Sequence, residues 1–590
     1  MEKILVIDYG SQYTHLLARN IRRLNVYSEI KQPDVTKKDL KDVKGIILSG
    51  GPNSVYEKNA PKISKKILES GIPILGVCYG HQLISHMLGG KLERGDSMEY
   101  GFAMMKTEKN PLFKGLSKQE VVWMSHGDHV KELPEGFQSI GYTDRCQNAA
   151  VCNKEKNIFG LQFHPEVTHT RNGMTILDNF VNLCDAKREW KIENYIESLK
   201  AKLKKKIAGK KVFLLVSGGV DSTVTFRLLN EALGKDKVIG LHIDNGFMRH
   251  KESCHIIKEF KKLGLNVKKI DCSEYFLKKI GKTTDPETKR KIIGKAFIDV
   301  TNKAIKQTGL DKNSILSQGT IYPDTIESGD TKNSDKIKTH HNRVSIVREM
   351  IEKGQIIEPI KDLYKDEVRL IGYKLKIPSH MIKRHPFPGP GLAIRCLCSD
   401  RTRKISKRLQ KKVDNVIDPY FLTSKVLPIR SVGVQGDSRT YRNPAMIIGE
   451  ADWDKLNTIS TEICNKVEEI NRVVWHVAGD KDLDLRKAYL TKERLDLLRE
   501  VDLTVRTFIC KNDYNNRIWQ MPIVLLPLGT DGKEAIVLRP ICSTEVMTAN
   551  FTRMDQDDVK RLAKIILKNK KISAIMYDIT NKPPGTVEWE

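Results

Sequence analysis

Twice along this chain a short apolar run breaks on glycine and passes directly into a helical stretch. The first junction is Ile72-Pro73-Ile74-Leu75-Gly76-Val77-Cys78-Tyr79-Gly80-His81-Gln82. The second is Val212-Phe213-Leu214-Leu215-Val216-Ser217-Gly218-Gly219-Val220-Asp221-Ser222. Such a junction requires a buried strand, a turn with room only for hydrogen at Cα, and a helix packed back on the sheet. That is the building unit of an α/β domain. Two of them, far apart in 590 residues, predict two doubly wound parallel-sheet domains.

The remaining pattern fits around these junctions. Apolar runs at Lys3–Ile7 and Gly45–Leu48 alternate with helical stretches and place the first α/β domain at 1–190. Runs at Val238–Ile243, Val267–Ile270 and Ile315–Leu316 belong to the second, at 208–400. Between them, Trp190–Lys211 reads as a basic, solvated helical connector stopped by Gly209. From 401 to 590 the pattern becomes α+β, with helices expected at Lys455–Ile470 and Asp557–Leu567. That part carries a candidate duplication. Ala445–Ile448 leads through a helix to Arg472–Trp475, and Ala535–Leu538 leads through a helix to Ala574–Tyr577.

Composition narrows the class. Lysine and arginine number 101 against 73 acidic residues, a net charge of +28, which attracts anions such as nucleotides, pyrophosphate or nucleic acid. No apolar run reaches the length of a membrane span, and the first residues lack the layout of a signal peptide. Eleven cysteines without a Cys-x-x-Cys pair suit a reducing cytoplasm better than a disulfide scaffold.

The first junction is a nucleophile elbow with cysteine in the reactive place. It delivers the Cys78 thiol to a helix N-terminus, where the macrodipole favours thiolate. A base and an orienting acid stand close together in Gln162-Phe163-His164-Pro165-Glu166. His164 can hold the thiol proton and Glu166 can fix its tautomer. Backbone N–H groups at Gly51, in Ser49-Gly50-Gly51-Pro52, and at Tyr79 are the expected oxyanion donors. These segments, with Asp8-Tyr9-Gly10-Ser11-Gln12, resemble the class I glutamine amidotransferases over nearly the whole first domain. The resemblance implies glutamine hydrolysis through a Cys78 thioester, with ammonia released, and adds Gln82 to the glutamine-binding candidates.

The second junction lacks Gly-Lys-Ser/Thr, so it is no Walker A loop. Its glycines and hydroxyl residues, Ser217 through Ser222, suit an anion held at a helix N-terminus. Asp244 ends the next strand, where an open α/β sheet receives its ligand. Ser217-Gly218-Gly219-Val220-Asp221-Ser222 resembles the loop of ATPases that cleave ATP to AMP and pyrophosphate. This implies that Asp221 meets the phosphates through Mg²⁺.

Further segments follow in order: Asp285–Gly294, Gln318–Ser328, Lys336–Asn342, Glu358–Asp362, His385–Arg395 and Lys582–Glu590. Behind that loop they resemble the glutamine-hydrolysing GMP synthetases, long form, over almost the entire chain. The resemblance implies adenylation of xanthosine monophosphate (XMP) by ATP, then displacement of AMP by ammonia. It implies Gly319 and Lys361 at ATP, and Arg290, Pro388, Gln520, Lys582, Thr586 and Glu588 at XMP. It also implies a lid carrying Asp324, Glu327, Lys336, Lys338, His340 and His341. Glutamine, ATP and XMP are then the partners, with no membrane and no required nucleic acid. The family's short form pairs two subunits through its C-terminal domain. Two such units within one chain predict a monomer, with a homodimer as the alternative. A nucleic-acid-modifying enzyme sharing the ATP loop is the rival reading, and it leaves the amidotransferase half without a task.

Overall fold

The computed structural model describes residues 2–11, 13–307, 314–321, 356–384, 387–400, 404–435, 438–543 and 549–590. They form two compact units. One is built on the first 202 residues with Ile360–Ile371, the other chiefly on Leu203–Gly319 and Gly372–Glu590. The lid candidates Asp324, Glu327, Lys336, Lys338, His340 and His341 lie outside the described residues.

The first unit has nine strands: β1 (Lys3–Ile7), β2 (Tyr27–Lys31), β3 (Val43–Leu48), β4 (Ile74–Val77), β5 (Lys91–Thr107), β6 (Gln119–Glu132), β7 (Gln138–Tyr142), β8 (Ala150–Asn153) and β9 (Ile158–Leu161). They run in the order β2-β1-β3-β4-β9-β8-β7-β5-β6. The first five are parallel and the rest antiparallel. Successive side chains of β1 go to opposite faces, as a strand demands. Ile4 and Val6 pack with Leu17, Ile21 and Phe180, from α1 (Thr14–Arg23) and the helix Gly173–Leu183. Leu5 and Ile7 pack with Leu83 and Ile84 of α2 (Tyr79–Met87). Apolar residues on both faces are what a doubly wound sheet buries. The antiparallel extension goes beyond the expected parallel sheet.

The connector differs from the expected solvated linker. It is an amphipathic helix, α3 (Ile192–Ile207), whose stripe of Ile192, Ile196, Leu203 and Ile207 is buried. Lys204, Lys205 and Lys206 stay exposed, and the helix ends before Gly209, at φ +81°.

The second unit holds two large sheets and, beside them, two short two-stranded ones. The first is wholly parallel: β10 (Lys211–Leu215), β11 (Val238–Asp244), β12 (Val267–Asp271), β13 (Ser314–Ser317) and β14 (Ile356–Ile357), in the order β12-β11-β10-β13-β14. The chain turns one way from β10 to β12 and resumes on the other side at β13, so the switch point lies at the end of β10. Helices α4 (Val220–Leu233), α5 (Glu252–Lys262) and α6 (Pro286–Gln307) belong to this layer.

The other large sheet has β15 (Thr423–Val426), β16 (Ser431–Gln435), β17 (Ser438–Ile448), β18 (Ile470–Gly479), β19 (Ile523–Leu526), β20 (Glu534–Leu538) and β21 (Ile572–Asp578). Two parallel strand–helix–strand units lie within it. One is β17, the helix Trp453–Lys466 and β18; the other is β20, the helix Gln556–Ile566 and β21. The expected duplication is therefore present, and the copies join edge to edge through antiparallel β18 and β21.

One buried cluster sits at that seam. Asp578 Oδ2 lies 2.8 Å from Arg472 Nη1, and its Oδ1 lies 2.8 Å from Arg539 Nη1. Trp589 Nε1 donates to the same carboxylate at 2.9 Å. Burial raises the Asp578 pKa, but Arg539 and Arg472 more than reverse it, leaving it below the ordinary value. A depressed carboxylate stabilises the fold above its unfolded pKa, about 4. That contribution is lost as pH falls through the folded value. Asp578→Asn should strand two buried guanidinium groups and cost about 3–5 kcal/mol. Urea denaturation followed by tryptophan fluorescence measures this, and an unchanged midpoint would show the cluster to be dispensable.

Candidate functional site

The elbow after β4 has the geometry its glycines require. A Cβ on Gly80 would stand 2.3 Å from Leu48 O, and one on Gly76 would stand 2.7 Å from Gly80 C. Helix α2 therefore packs against the sheet with no room for side chains there. Between the two glycines, Cys78 takes φ 49° and ψ −106°. For a residue with a Cβ this conformation costs about 1–3 kcal/mol, and the Cys78 N–H donates to Leu161 O at 2.7 Å. Tyr79 is the first residue of α2, so its N–H is one of those a helix leaves without an internal partner.

The other groups arrive from the carboxyl ends of neighbouring strands. Ser49-Gly50-Gly51 follows β3, and His164 follows β9. A Cβ on Gly50 would lie 3.1 Å from His164 Cε1, and one on Gly51 would lie 2.7 Å from Tyr9 O. His164 Nδ1 is 2.7 Å from Glu166 Oε1, and both residues are buried. The His164 backbone is held by Thr170 Oγ1, which donates to His164 O at 2.6 Å, and its imidazole meets the Tyr13 ring edge-on at 5.2 Å. Burial alone would lower the His164 pKa. The Glu166 carboxylate and the Cys78 sulfur overcome that and raise it well above the ordinary value. The arrangement suits an imidazole that takes the proton of the nucleophile, with the carboxylate behind it.

Two residues near the sulfur had escaped the sequence reading. Gln162 Nε2 is 3.8 Å from Cys78 Sγ, and Ser125 O is 3.6 Å from it. Gln82, a glutamine-binding candidate, turns inward: its Nε2 donates to Asp128 O at 2.6 Å and lies 3.3 Å from Gln162 Oε1. Gln162 opens the segment Gln162–Glu166, and that closeness to His164 was its one signal. Ser125 carried no signal, because its contribution is a backbone carbonyl.

In the second unit the loop between β10 and α4 lies at the switch point. Gly218 has φ +77°. Ser217 Oγ and Ser222 Oγ lie 3.3 Å apart, Ser217 Oγ accepts from Gly219 N at 3.2 Å, and Thr223 Oγ1 donates to Gly219 O at 2.7 Å. Val220 and Asp221 open α4. The loop is thus a rigid turn with its hydroxyls and helix N-terminus together. Gly319 closes on it, since a Cβ there would sit 3.0 Å from Ser222 N. Asp244 Oδ2 pairs with Lys269 at 3.0 Å, and its Oδ1 accepts from Gly246 N. Arg384, absent from the sequence reading, donates from Nη1 to Gly218 O at 2.9 Å. Lys361 is exposed and belongs to the first unit.

The XMP candidates fall into two groups. Arg290, on α6, donates to Glu590 O. Glu588 takes a bidentate pair from the buried Arg395 at 2.7 and 2.9 Å, and Arg395 lies against the Phe387 ring beside Pro388. Thr586 Oγ1 lies 3.0 Å from Val432 O. Gln520 and Lys582 instead flank the segment Ile541–Ala549: Gln520 bridges to Ile541, and Lys582 bridges to Ala549. A cleft of about 560 Å³ adjoins them, lined in part by Asn457, Arg517, Arg553 and Asn581.

Comparison with known proteins covers each of these regions. Residues 5–184 match the family model "Glutamine amidotransferase class-I", 191–296 match "NAD synthase", and 406–482 with 507–589 match "GMP synthase C terminal domain". A probable glutamine-hydrolysing GMP synthase of Leptospira interrogans is 45% identical over 100% of this chain and 99% of its own. The GMP synthase of Caldicellulosiruptor saccharolyticus is 38% identical over 100% and 99%. That of Brachyspira hyodysenteriae is 42% identical over 81% of this chain and 98% of its own.

Because the Glu166 carboxylate is the first of the groups that raise the His164 pKa, ahead of the Cys78 sulfur, Glu166→Gln should lower it. The imidazolium would then be lost at lower pH. Glutamine hydrolysis should drop by about 10²–10⁴-fold, with the alkaline limb of its pH profile displaced downward. An unchanged rate and profile would remove Glu166 from the site.

Proposed function

The chain belongs to the glutamine-hydrolysing GMP synthase family, and on that premise we propose how its residues divide the work. The activity is glutamine-dependent GMP synthesis, with ATP as co-substrate. Cys78 Sγ attacks the side-chain amide carbon of glutamine while His164 holds the thiol proton. The oxyanion is met by the N–H groups of Gly51 and Tyr79. His164 returns the proton to the leaving nitrogen, ammonia departs, and water hydrolyses the thioester to glutamate. Glu166 keeps the imidazole oriented, Gln162 supports the sulfur's surroundings, and Gln82 is assigned to glutamine binding.

In the synthetase part, the Ser217–Ser222 loop holds the phosphates of ATP, with Asp244 and Gly319 completing the nucleotide site, and Lys361 is assigned to ATP by the family resemblance alone. The C2 oxygen of XMP attacks the α-phosphorus and pyrophosphate leaves. Ammonia then adds at C2 and AMP departs, a far better leaving group than the original oxygen. The loop's carboxylate and hydroxyl oxygens suit a hard cation, and Asp221 is the residue that would hold Mg²⁺. When bound, Mg²⁺ neutralises charge on the phosphates. Arg290, Pro388, Gln520, Lys582, Thr586 and Glu588 are assigned to XMP, Arg290 and Lys582 as partners of its 5′-phosphate. The lid role of Asp324, Glu327, Lys336, Lys338, His340 and His341 stands as part of this proposal.

The observation that carries the reading is the 2.7 Å bond from His164 to Glu166 beside a thiol held on a strained elbow. Free thiols at all eleven cysteines favour a reducing cytoplasm as the place of action. Among the described residues no helix is long and apolar enough to cross a membrane.

Two measurements test these assignments. Cys78→Ala should make no GMP from glutamine and should make it from ammonium as the parent does, read as AMP and GMP formed from ATP and XMP. Glutamine-dependent product from the variant would overturn Cys78 as nucleophile. The two strand–helix–strand copies already pair within one chain, so a monomer is proposed. Sedimentation equilibrium should return a mass near 67.2 kDa, and a mass twice that would overturn it.

A further inference from the structure

Helix α5 carries His255 and Glu259 four residues apart, hence on one face. Against that face comes His380, in the short helix Ser379–Ile382, with Nε2 3.1 Å from Glu259 Oε2. One ligand atom from each of His255, Glu259 and His380 lies within 4.8 Å of the other two. Glu259 is buried and both histidines are exposed, so the cluster faces water. None of the three has a part in the reaction described above. We propose that His255, Glu259 and His380 form a binding site for a borderline divalent transition-metal ion, for which zinc is the probe.

The chemistry favours such an ion. Two imidazole nitrogens and one carboxylate oxygen, with a fourth position open to water, make a known tetrahedral zinc set. Bonds of about 2.0–2.2 Å place tetrahedral ligands about 3.3 Å apart. Atoms already within 4.8 Å reach that by side-chain rotation. The His380–Glu259 contact holds a proton between two lone pairs, a position a metal ion can take instead. Lys262, whose Nζ lies 2.7 Å from Glu259 Oε1, is the competing cation. It is exposed and can swing away, but its charge weakens the site.

The site has a mechanical consequence. Arg384, four residues after His380, pairs with Glu252 at the start of α5 and donates to Gly218 O in the glycine loop. A metal ion joining His380 to α5 would tie the segment 379–384 to that helix at both ends and hold Arg384 on the loop. Only the relevance of this tie to ATP rests on the function proposed above; the metal site does not.

The test uses the full chain carrying Cys78→Ala, Cys254→Ala and Cys510→Ala, which removes the elbow thiol and the two exposed thiols that could compete for zinc. Zinc is titrated by calorimetry, cobalt by its visible absorption, and hydrogen exchange is followed at 379–384. His255→Ala and His380→Ala should each weaken binding by about tenfold or more and abolish the tetrahedral cobalt spectrum. Lys262→Met should tighten binding several-fold. Zinc should slow exchange at 379–384 in the parent and not in His380→Ala. Equal zinc affinity in the parent and in the His255→Ala/His380→Ala double variant would overturn the site. Unchanged exchange in the parent would overturn the tie. Neither readout needs a substrate, so failure of the synthetase assignment would leave both intact.

Discussion

One buried carboxylate, Asp578, organises the second unit. It lies at the end of β21 and bonds a guanidinium from β18 and another from the end of β20. Apolar β-strands can slide by two residues and still bury their side chains. A carboxylate shared by two arginines cannot move without stranding a charge in the interior, which is far costlier. From this point the chain continues as a strap. Trp589 returns to Asp578, Glu588 reaches Arg395, and Glu590 pairs with the fully buried Lys289 at 2.5 Å. The acceptor-site candidates Thr586, Glu588 and Arg290 all stand on or beside this strap, so their placement derives from the same cluster.

Both reaction centres use the same physical device. A parallel sheet delivers several strand ends to one edge. A glycine turn there exposes backbone N–H groups at a helix N-terminus. In the amidotransferase part the device holds a strained cysteine, because Gly76 and Gly80 leave the helix nowhere else to pack. In the synthetase part it holds hydroxyls and an aspartate, and Gly319 approaches so closely that a side chain there would press on Ser222. The chemistry differs because the residue at the turn differs.

Much of this was legible in the residues themselves. Strands at Lys3–Ile7 and Val238–Ile243, the two glycine junctions and the duplicated unit were marked by apolar runs ending on turn residues. The antiparallel extension was not. β5 carries lysine, glutamate and glycine along much of Lys91–Thr107, and its short apolar stretch Phe102–Met105 pairs along most of its length with the equally short Val121–Met124 of β6. Burial alternates along β6 from Glu120 to His126, but the residue types there do not alternate between polar and apolar, which hides the period. Cys78, His164 and Glu166 could be read because their roles demand particular residue types at short spacing. Arg384 on Gly218 could not, since it arrives from 166 positions away and any exposed arginine looks alike in sequence. Gln82 is a glutamine-binding candidate through the family resemblance alone. Its amide is taken by Asp128 O, a partner that no local pattern announces.

The seam between β18 and β21 has a symmetry that the chain breaks. Aligning the two parallel ladders makes Trp475 the counterpart of Tyr577, and these two face each other across the seam. An approximate two-fold axis therefore passes between them. By the same alignment the counterparts of Arg472, Arg539 and Asp578 are Ala574, Ile448 and His476. In an assembly of identical halves every contact off the axis would occur twice, so a single cluster of one carboxylate and two arginines could not exist without its duplicate. Tandem fusion lifts that restriction. Each half is free to drift separately, and the pairing, being intramolecular, keeps its strength at any dilution.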